Sequence, residues 1–125
     1  MNQHYKMKLK EMKKTLMMGI GYIRLSDHVK PIVIKTKKAH KQGRLKKRGY
    51  TKSDIISAIM TGEIVEIQQG FHPQLKRPNE IYVIEGKDTH HNPIVIVVGE
   101  DGRYQFVIKT VMPPLDKRRF KNCIS

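Results

Sequence analysis

Residues 93 to 112 read Pro93-Ile94-Val95-Ile96-Val97-Val98-Gly99-Glu100-Asp101-Gly102-Arg103-Tyr104-Gln105-Phe106-Val107-Ile108-Lys109-Thr110-Val111-Met112. Two runs rich in β-branched and aromatic residues flank Asp101-Gly102, a dipeptide suited to a tight hairpin turn. They are therefore expected to pair as antiparallel neighbours. Ile94 to Val98 is apolar on both faces, as a central strand requires. Along the second run Tyr104, Phe106, Ile108, Thr110 and Met112 alternate onto one expected core face. Working upstream, Glu63 to Gln69 and Glu80 to Glu85 read as two more strands. Gly70 to Asn79 and Gly86 to Asn92 read as the loops between them, and Pro113-Pro114 closes the last strand.

Two helices are expected ahead of these strands. The first spans about Lys37 to Arg48, with Gly49 in the favourable position after its end. The second starts at Thr51 as N-cap, with Asp54 three residues on. It carries an expected core stripe of Ile55, Ile56, Ile59 and Met60, and stops at Gly62. Before them Tyr5, Leu9, Met12 and Leu16 recur at helical steps, although Lys6-Met7-Lys8-Leu9-Lys10 also alternates as a strand would. Pro31 breaks the chain, and Ile32-Val33-Ile34 reads as a short strand. The expected fold class is α+β: two short helices followed by a four-stranded antiparallel meander sheet, preceded by a basic N-terminal extension. The expected division is an extension at 1–31, a compact domain at 32–114 and a basic tail at 115–125.

The charge is unevenly spread. Met1 to Lys52 holds 16 Lys/Arg against Glu11 and Asp27 alone, which accounts for the whole formal charge of +14; Ser53 to Ser125 balances 9 against 9. Such asymmetry points to a polyanionic partner, nucleic acid first and an anionic membrane surface second. Cys123 is the single cysteine, so an internal disulfide and a cysteine zinc site are excluded. A reducing, cytoplasmic setting is expected. Leu16 to Ile23 is apolar behind lysines, but Gly19 and Gly21 interrupt it and no cleavage pattern follows, against an export signal. No stretch reaches the ~20 apolar residues of a membrane-spanning helix.

His40, Arg44 and Arg48 stand four apart, and on a helix that spacing stacks them on one face. The face would join a proton-transfer group to two fixed cations, the pairing a phosphodiester reaction needs. Around it, the stretch from Val33 to about Pro114 resembles the bacterial family known as domain of unknown function 4258. The resemblance rests on the strand Ile34-Lys35-Thr36, on His40, Arg44, Arg48 and Gly49, on the helix from Asp54 to Gly62, and on Val107 to Val111 with its Thr110. Lys41 stands where the family usually has Ala. The resemblance implies a distant relation to RelE, barnase and EndoU ribonucleases, many of them toxins, and thus RNA cleavage without a metal. It also implies Thr110 as a site position. Fold alone does not fix function.

The expected function is a small, toxin-like, metal-independent endoribonuclease working through 2′-hydroxyl attack, with no cofactor and no metal. His40 is the expected proton shuttle, its neutral form favoured by the arginines. Arg44 and Arg48 would grip phosphoryl oxygens. Thr110 completes the catalytic set. Lys37, Lys38, Lys41, Lys47, Arg77 and Lys109 are expected to bind nucleic acid, and an antitoxin or immunity protein is the expected protein partner. Lys109 and Thr110, being consecutive on a strand, are expected on opposite faces, so that at most one meets His40. Tyr82 is a further acid–base candidate. His90-His91 beside Asp88 reads as a turn rather than a metal site. The rival class is a non-catalytic RNA- or DNA-binding module. Against a DNA-reading helix-turn-helix, the second helix offers Ser53, Asp54 and Ser57 where Arg, Lys, Asn or Gln would be needed.

Overall fold

A computed structural model describes residues 3–30, 33–34 and 50–113 of the 125. The expected helix from Lys37 to Arg48 and the tail at 115–125 lie outside the described residues. The elements are α1 (Gln3–Met18), β1 (Tyr22–Leu25), β2 (Val33–Ile34), β3 (Tyr50–Thr51), α2 (Lys52–Thr61), β4 (Glu63–His72), β5 (Arg77–Lys87), β6 (Pro93–Gly102) and β7 (Gln105–Met112). An α+β architecture is present. Its sheet has five strands in the order β1-β7-β6-β5-β4, not four. The meander β4 to β7 is antiparallel as expected, and β1 adds to β7 in parallel, Arg24 opposite Val107. A separate parallel pair joins β2 to β3.

The N-terminal residues do not stand apart. α1 forms at the helical spacing of its apolar residues: Met12 is fully buried, and Tyr5, Leu9 and Leu16 pack against the same core as Ile55, Ile84, Ile96 and Phe106. Gly19 follows the helix at φ 69°, a left-handed residue after the last turn. Gly21, also at φ 69°, permits a close approach: a Cβ there would sit 1.8 Å from the Tyr104 carbonyl oxygen. That approach lets the Tyr22 N–H donate to Tyr104 O at 3.0 Å and start β1 along β7.

α2 follows its signals closely. Thr51 is the N-cap; its hydroxyl accepts from Asp54 N–H at 3.1 Å, and Asp54 Oδ2 accepts from Thr51 N–H at 2.9 Å, a complete capping box. The buried stripe is Ile55, Ala58 and Ile59, however; Ile56 and Met60 are exposed. The physical reason is Gly86, which brings β5 against the helix at Ala58. A Cβ on Gly86 would lie 2.3 Å from Ala58 O, so the helix rests on its smallest residue. Ser57 Oγ and the Thr61 hydroxyl fix the same contact by bonding Lys87 O at 2.8 Å and Lys87 N at 3.0 Å.

The loops are shorter than expected. β4 runs on to His72 and β5 starts at Arg77, leaving four residues with Lys76 at φ 53°. The last hairpin also turns later than Asp101-Gly102. Gly102 pairs with Gln105, and Arg103-Tyr104 form the bend, Tyr104 at φ 59°. Asp101 thereby becomes an extra residue in β6, and its buried carboxylate serves another purpose.

Candidate functional site

Both helices cover one face of the sheet, where Tyr82, Ile84, Ile96, Val98, Phe106, Ile108 and Val111 are buried. The opposite face is divided in two. One half is a small apolar cluster of Val83 and Val95 with Val65, Val97 and Met112. The other half is polar, and its centre is Asp101.

Alternation on β1 explains how the polar half is reached from the N-terminal residues. Ile23 and Leu25 pack into the core, so Tyr22 and Arg24 point the other way. Tyr22 Oη donates to Asp101 Oδ2 at 2.7 Å, and Arg24 Nε donates to the same oxygen at 2.9 Å. Arg24 Nη2 reaches Asp101 Oδ1 at 3.3 Å, and His72 Nε2 reaches it at 2.9 Å. Arg77 Nη2 donates to the Asp101 carbonyl at 2.5 Å. Burial pushes the Asp101 carboxyl upward, but the bonds from Arg24, Tyr22 and His72 together outweigh it and hold the group below its ordinary range. Arg24 is in turn held above its usual value by that bond.

His72 resembles half of a catalytic dyad, but both ring nitrogens are engaged. The Leu75 N–H donates to Nδ1 at 3.2 Å, which leaves the proton on Nε2, facing Asp101. Its role is to orient the carboxylate.

Beside this network lies a cleft of about 190 Å³, lined by Arg24, Ser26, Phe71, His72, Asn79, Val107 and Lys109 among others. Asn79 is buried, its Nδ2 donating to Glu100 O at 3.1 Å. Lys109 lies over Gly99, where a Cβ would come within 3.1 Å of its side chain.

The structure changes the relation between Lys109 and Thr110. Val97 pairs with Thr110 and Val98 with Ile108, so Lys109 is a bulge residue without a partner on β6. Ile108 and Val111 both face the helices. The two residues between them therefore both face the far side. The expectation that Thr110 shares a face with Phe106 and Ile108, and that Lys109 and Thr110 diverge, is corrected by that one extra residue. Thr110 is half-buried opposite Val97, and Lys109 is exposed.

Other candidates resolve differently. His40, Arg44, Arg48, Lys37, Lys38, Lys41 and Lys47 lie outside the described residues. Arg77 is partly committed to Asp101. Tyr82 is a core residue, fully buried on the helix face with its hydroxyl donating to Glu80 Oε1 at 2.9 Å, and burial pushes its pKa up, assisted by that bond. Asp54, Asp88 and His90 come close enough to suggest a metal. Their oxygens already serve the turn: Asp54 Oδ1 accepts from Thr89 N and Oγ1 at 3.1 and 2.7 Å, and Asp88 Oδ1 accepts from His90 N and Asn92 N at 2.8 and 2.9 Å. A larger cavity of about 310 Å³ on the helix side is lined by Leu16, Ile23, Leu25, Ile55, Ile56 and Ile59, with Arg24, Lys30 and Lys52 also on its wall.

Sequence reading missed Asp101, Tyr22, Arg24, His72 and Asn79 as one assembly. The alternation of Tyr22 and Arg24 with Ile23 and Leu25 was an available signal; the meeting of four separate strands at Asp101 was not.

Comparison with known proteins gives one family. The profile described as domain of unknown function (DUF4258) matches residues 38–113, more than half of the chain. No curated protein and no solved structure matches. Among the described residues no helix is long and apolar enough to cross a membrane.

Proposed function

The chain belongs to the DUF4258 family, and on that premise we propose that it is a small, metal-independent endoribonuclease whose RNA lies across the sheet face opposite the helices. The observation that carries this reading is the bulge at Lys109. It delivers an ammonium and a hydroxyl, from consecutive residues, to the face that also presents Arg24. A phosphodiester in transition needs such fixed donors around its non-bridging oxygens.

In the proposed reaction the RNA 2′-oxygen forms a bond to phosphorus and the bond to the 5′-oxygen breaks. A base takes the 2′-hydroxyl proton and an acid returns one to the leaving oxygen, so a 2′,3′-cyclic phosphate and a 5′-hydroxyl result. His40 is assigned the proton transfer, and Arg44 and Arg48 the phosphoryl oxygens, on the strength of their spacing. Thr110 and Lys109 add a hydrogen bond and a charge. Lys37, Lys38, Lys41 and Lys47 would hold the flanking backbone, and a toxin of this kind would be matched by an antitoxin or immunity protein.

The test is incubation of the full chain with labelled RNA in EDTA. Cleavage that persists there, yields cyclic-phosphate ends and disappears with His40→Ala is the expected result. RNA left intact by the native chain would refute the enzyme. A second reading, RNA binding without cleavage, draws on the engagement of both His72 nitrogens, which leaves the described far face rich in charge but poor in proton carriers. Under it His40→Ala leaves affinity unchanged, while Lys109→Ala weakens it. For the toxin role, growth arrest on expression in bacteria is expected, and undisturbed growth would speak against it.

A further inference from the structure

We infer that the outer edge of β1 is a docking site for an extended, acidic segment of another protein, which adds a strand beside Ile23 and Leu25 and sets an apolar side chain into the cavity that those two residues line. The inference stands whether or not the chain acts on RNA.

The backbone of β1 points to a strand as the ligand. The Tyr22 N–H donates to Tyr104 O and the Ser26 N–H to Ile108 O, both at 3.0 Å, so the even-numbered residues turn their amides toward β7. In a parallel ladder the alternate residues turn theirs the other way. The N–H and C=O of Ile23 and Leu25 therefore point outward, where β1 ends the sheet and no strand among the described residues meets them. Sheet edges are usually guarded. At the opposite edge β4 carries a bulge between Ile64 and Glu66 and the charges of Glu63 and Glu66. β1 has no bulge and no proline, and its one charged residue, Arg24, is drawn over the sheet face to Asp101.

The side chains add a pocket to that edge. Ile23 and Leu25 line the cavity of about 310 Å³ on the helix side. Across it, Lys52, Ile55, Ile56 and Ile59 share one face of α2 by helical spacing, and all four belong to its wall. Ile56 is the apolar residue of that face left uncovered, 44 % exposed. An added strand would place every second side chain on the face of Ile23 and Leu25, over this wall. Main-chain bonds then give affinity and the pocket gives specificity. Charge selects the partner. The wall includes Arg24, Lys30 and Lys52 and no carboxylate. Asp27 meets Lys30 at 3.5 Å, but both are exposed and such a pair is weak. A second copy of this chain would bring a net charge of +14 against +14, which opposes edge-to-edge self-pairing. A segment that alternates carboxylates with branched apolar residues suits the edge, the cavity and the cations together.

The experiment measures binding of the full chain to a fluorescein-labelled peptide of alternating glutamate and valine, by anisotropy. It should bind about tenfold more tightly than a peptide of the same composition with its glutamates and valines in two blocks. N-methylation of alternate peptide nitrogens should abolish binding for one set and spare it for the other, since only one set faces β1. Ile56→Asn should weaken binding about tenfold, while Met60→Asn, similarly exposed on α2 but off the cavity wall, should not. Lys52→Gln should weaken it at low salt and less at high salt.

No preference for the alternating peptide, equal effects of the two N-methylated sets, or unchanged affinity in an Ile56→Asn variant of native circular dichroism would each overturn the docking site. So would a concentration-dependent dimer in sedimentation that the peptide dissociates, which would give the edge to a second copy of the chain. The N-methylated peptides keep the test open should Ile56→Asn fail to fold.

Discussion

The two faces of the sheet are built from the same strands and obey opposite rules. On the helix side, β5, β6 and β7 present Tyr82, Ile84, Ile96, Val98, Phe106 and Ile108, and α1 and α2 seal them. On the far side the same strands and β1 present Asn79, Gly99, Lys109 and Arg24 near a buried carboxylate, while Thr110 lies opposite Val97 beside the small apolar cluster. The difference is produced by irregularities. Bulges at Lys109 and Asp101 keep Phe106, Ile108 and Val111 on the helix side while Lys109 and Asp101 themselves serve the other. A regular meander would have spread those groups over both faces.

The comparison is broken most severely by a change inside the helix-side core. Ile59→Ala should cost about 4 kcal/mol, since Ile59 is fully buried against the sheet. Ile56→Ala, three residues earlier but exposed, should cost less than about 1 kcal/mol. Chemical denaturation of the two variants checks the pair; equal losses would mean that α2 does not pack through Ile55, Ala58 and Ile59.

A smaller loss is expected at the polar centre. Asp101→Ala should destabilise the fold by about 3 kcal/mol, because it strands Arg24 and leaves the buried His72 and the exposed Tyr22 hydroxyl without their partner. The same group governs acid behaviour. Its folded pKa is depressed, so its contribution is present above the ordinary carboxylate range and is lost as pH falls through the folded value. Asp54 behaves likewise: burial raises it, but the bonds from Thr51 and Thr89 outweigh burial and hold it low. Stability of the native chain should therefore fall with pH below about 4, and Asp101→Ala should show a shallower fall. Parallel melting curves from pH 7 to pH 3 would reveal this, and identical slopes would remove Asp101 from the account.

The smallest structural effect, and the most discriminating, is expected from deletion of Lys109. Removing the extra residue makes β7 regular while leaving Ile108 and Val111 facing the helices and Thr110 opposite Val97. The melting temperature should change by only a few degrees, as befits a loss of about 1 kcal/mol, whereas RNA binding should weaken as in Lys109→Ala. Unfolding on deletion would show that the bulge is needed to form the strand itself.

Much of the framework was legible in the residues. The antiparallel meander, the helix at α1 and the Thr51–Asp54 cap follow from local patterns, because alternation, helical spacing and capping chemistry act over a few residues. The fifth strand was hidden, since Tyr22 to Leu25 is too short to announce itself and gains a partner only when Gly21 brings it to Tyr104. The half of α2's stripe that is exposed was hidden for a similar reason: it depends on Gly86 of β5 drawing the helix in at Ala58.

By itself the sequence determined a basic first half, an α+β chain of this family and the apolar strands that must pair. Tertiary structure alone decided which face each polar group serves. A strand's periodicity is fixed by its own backbone, but where a bulge interrupts it depends on the register with a neighbour. One unpaired residue, Lys109, reverses the orientation that the strand's periodicity predicts for Thr110.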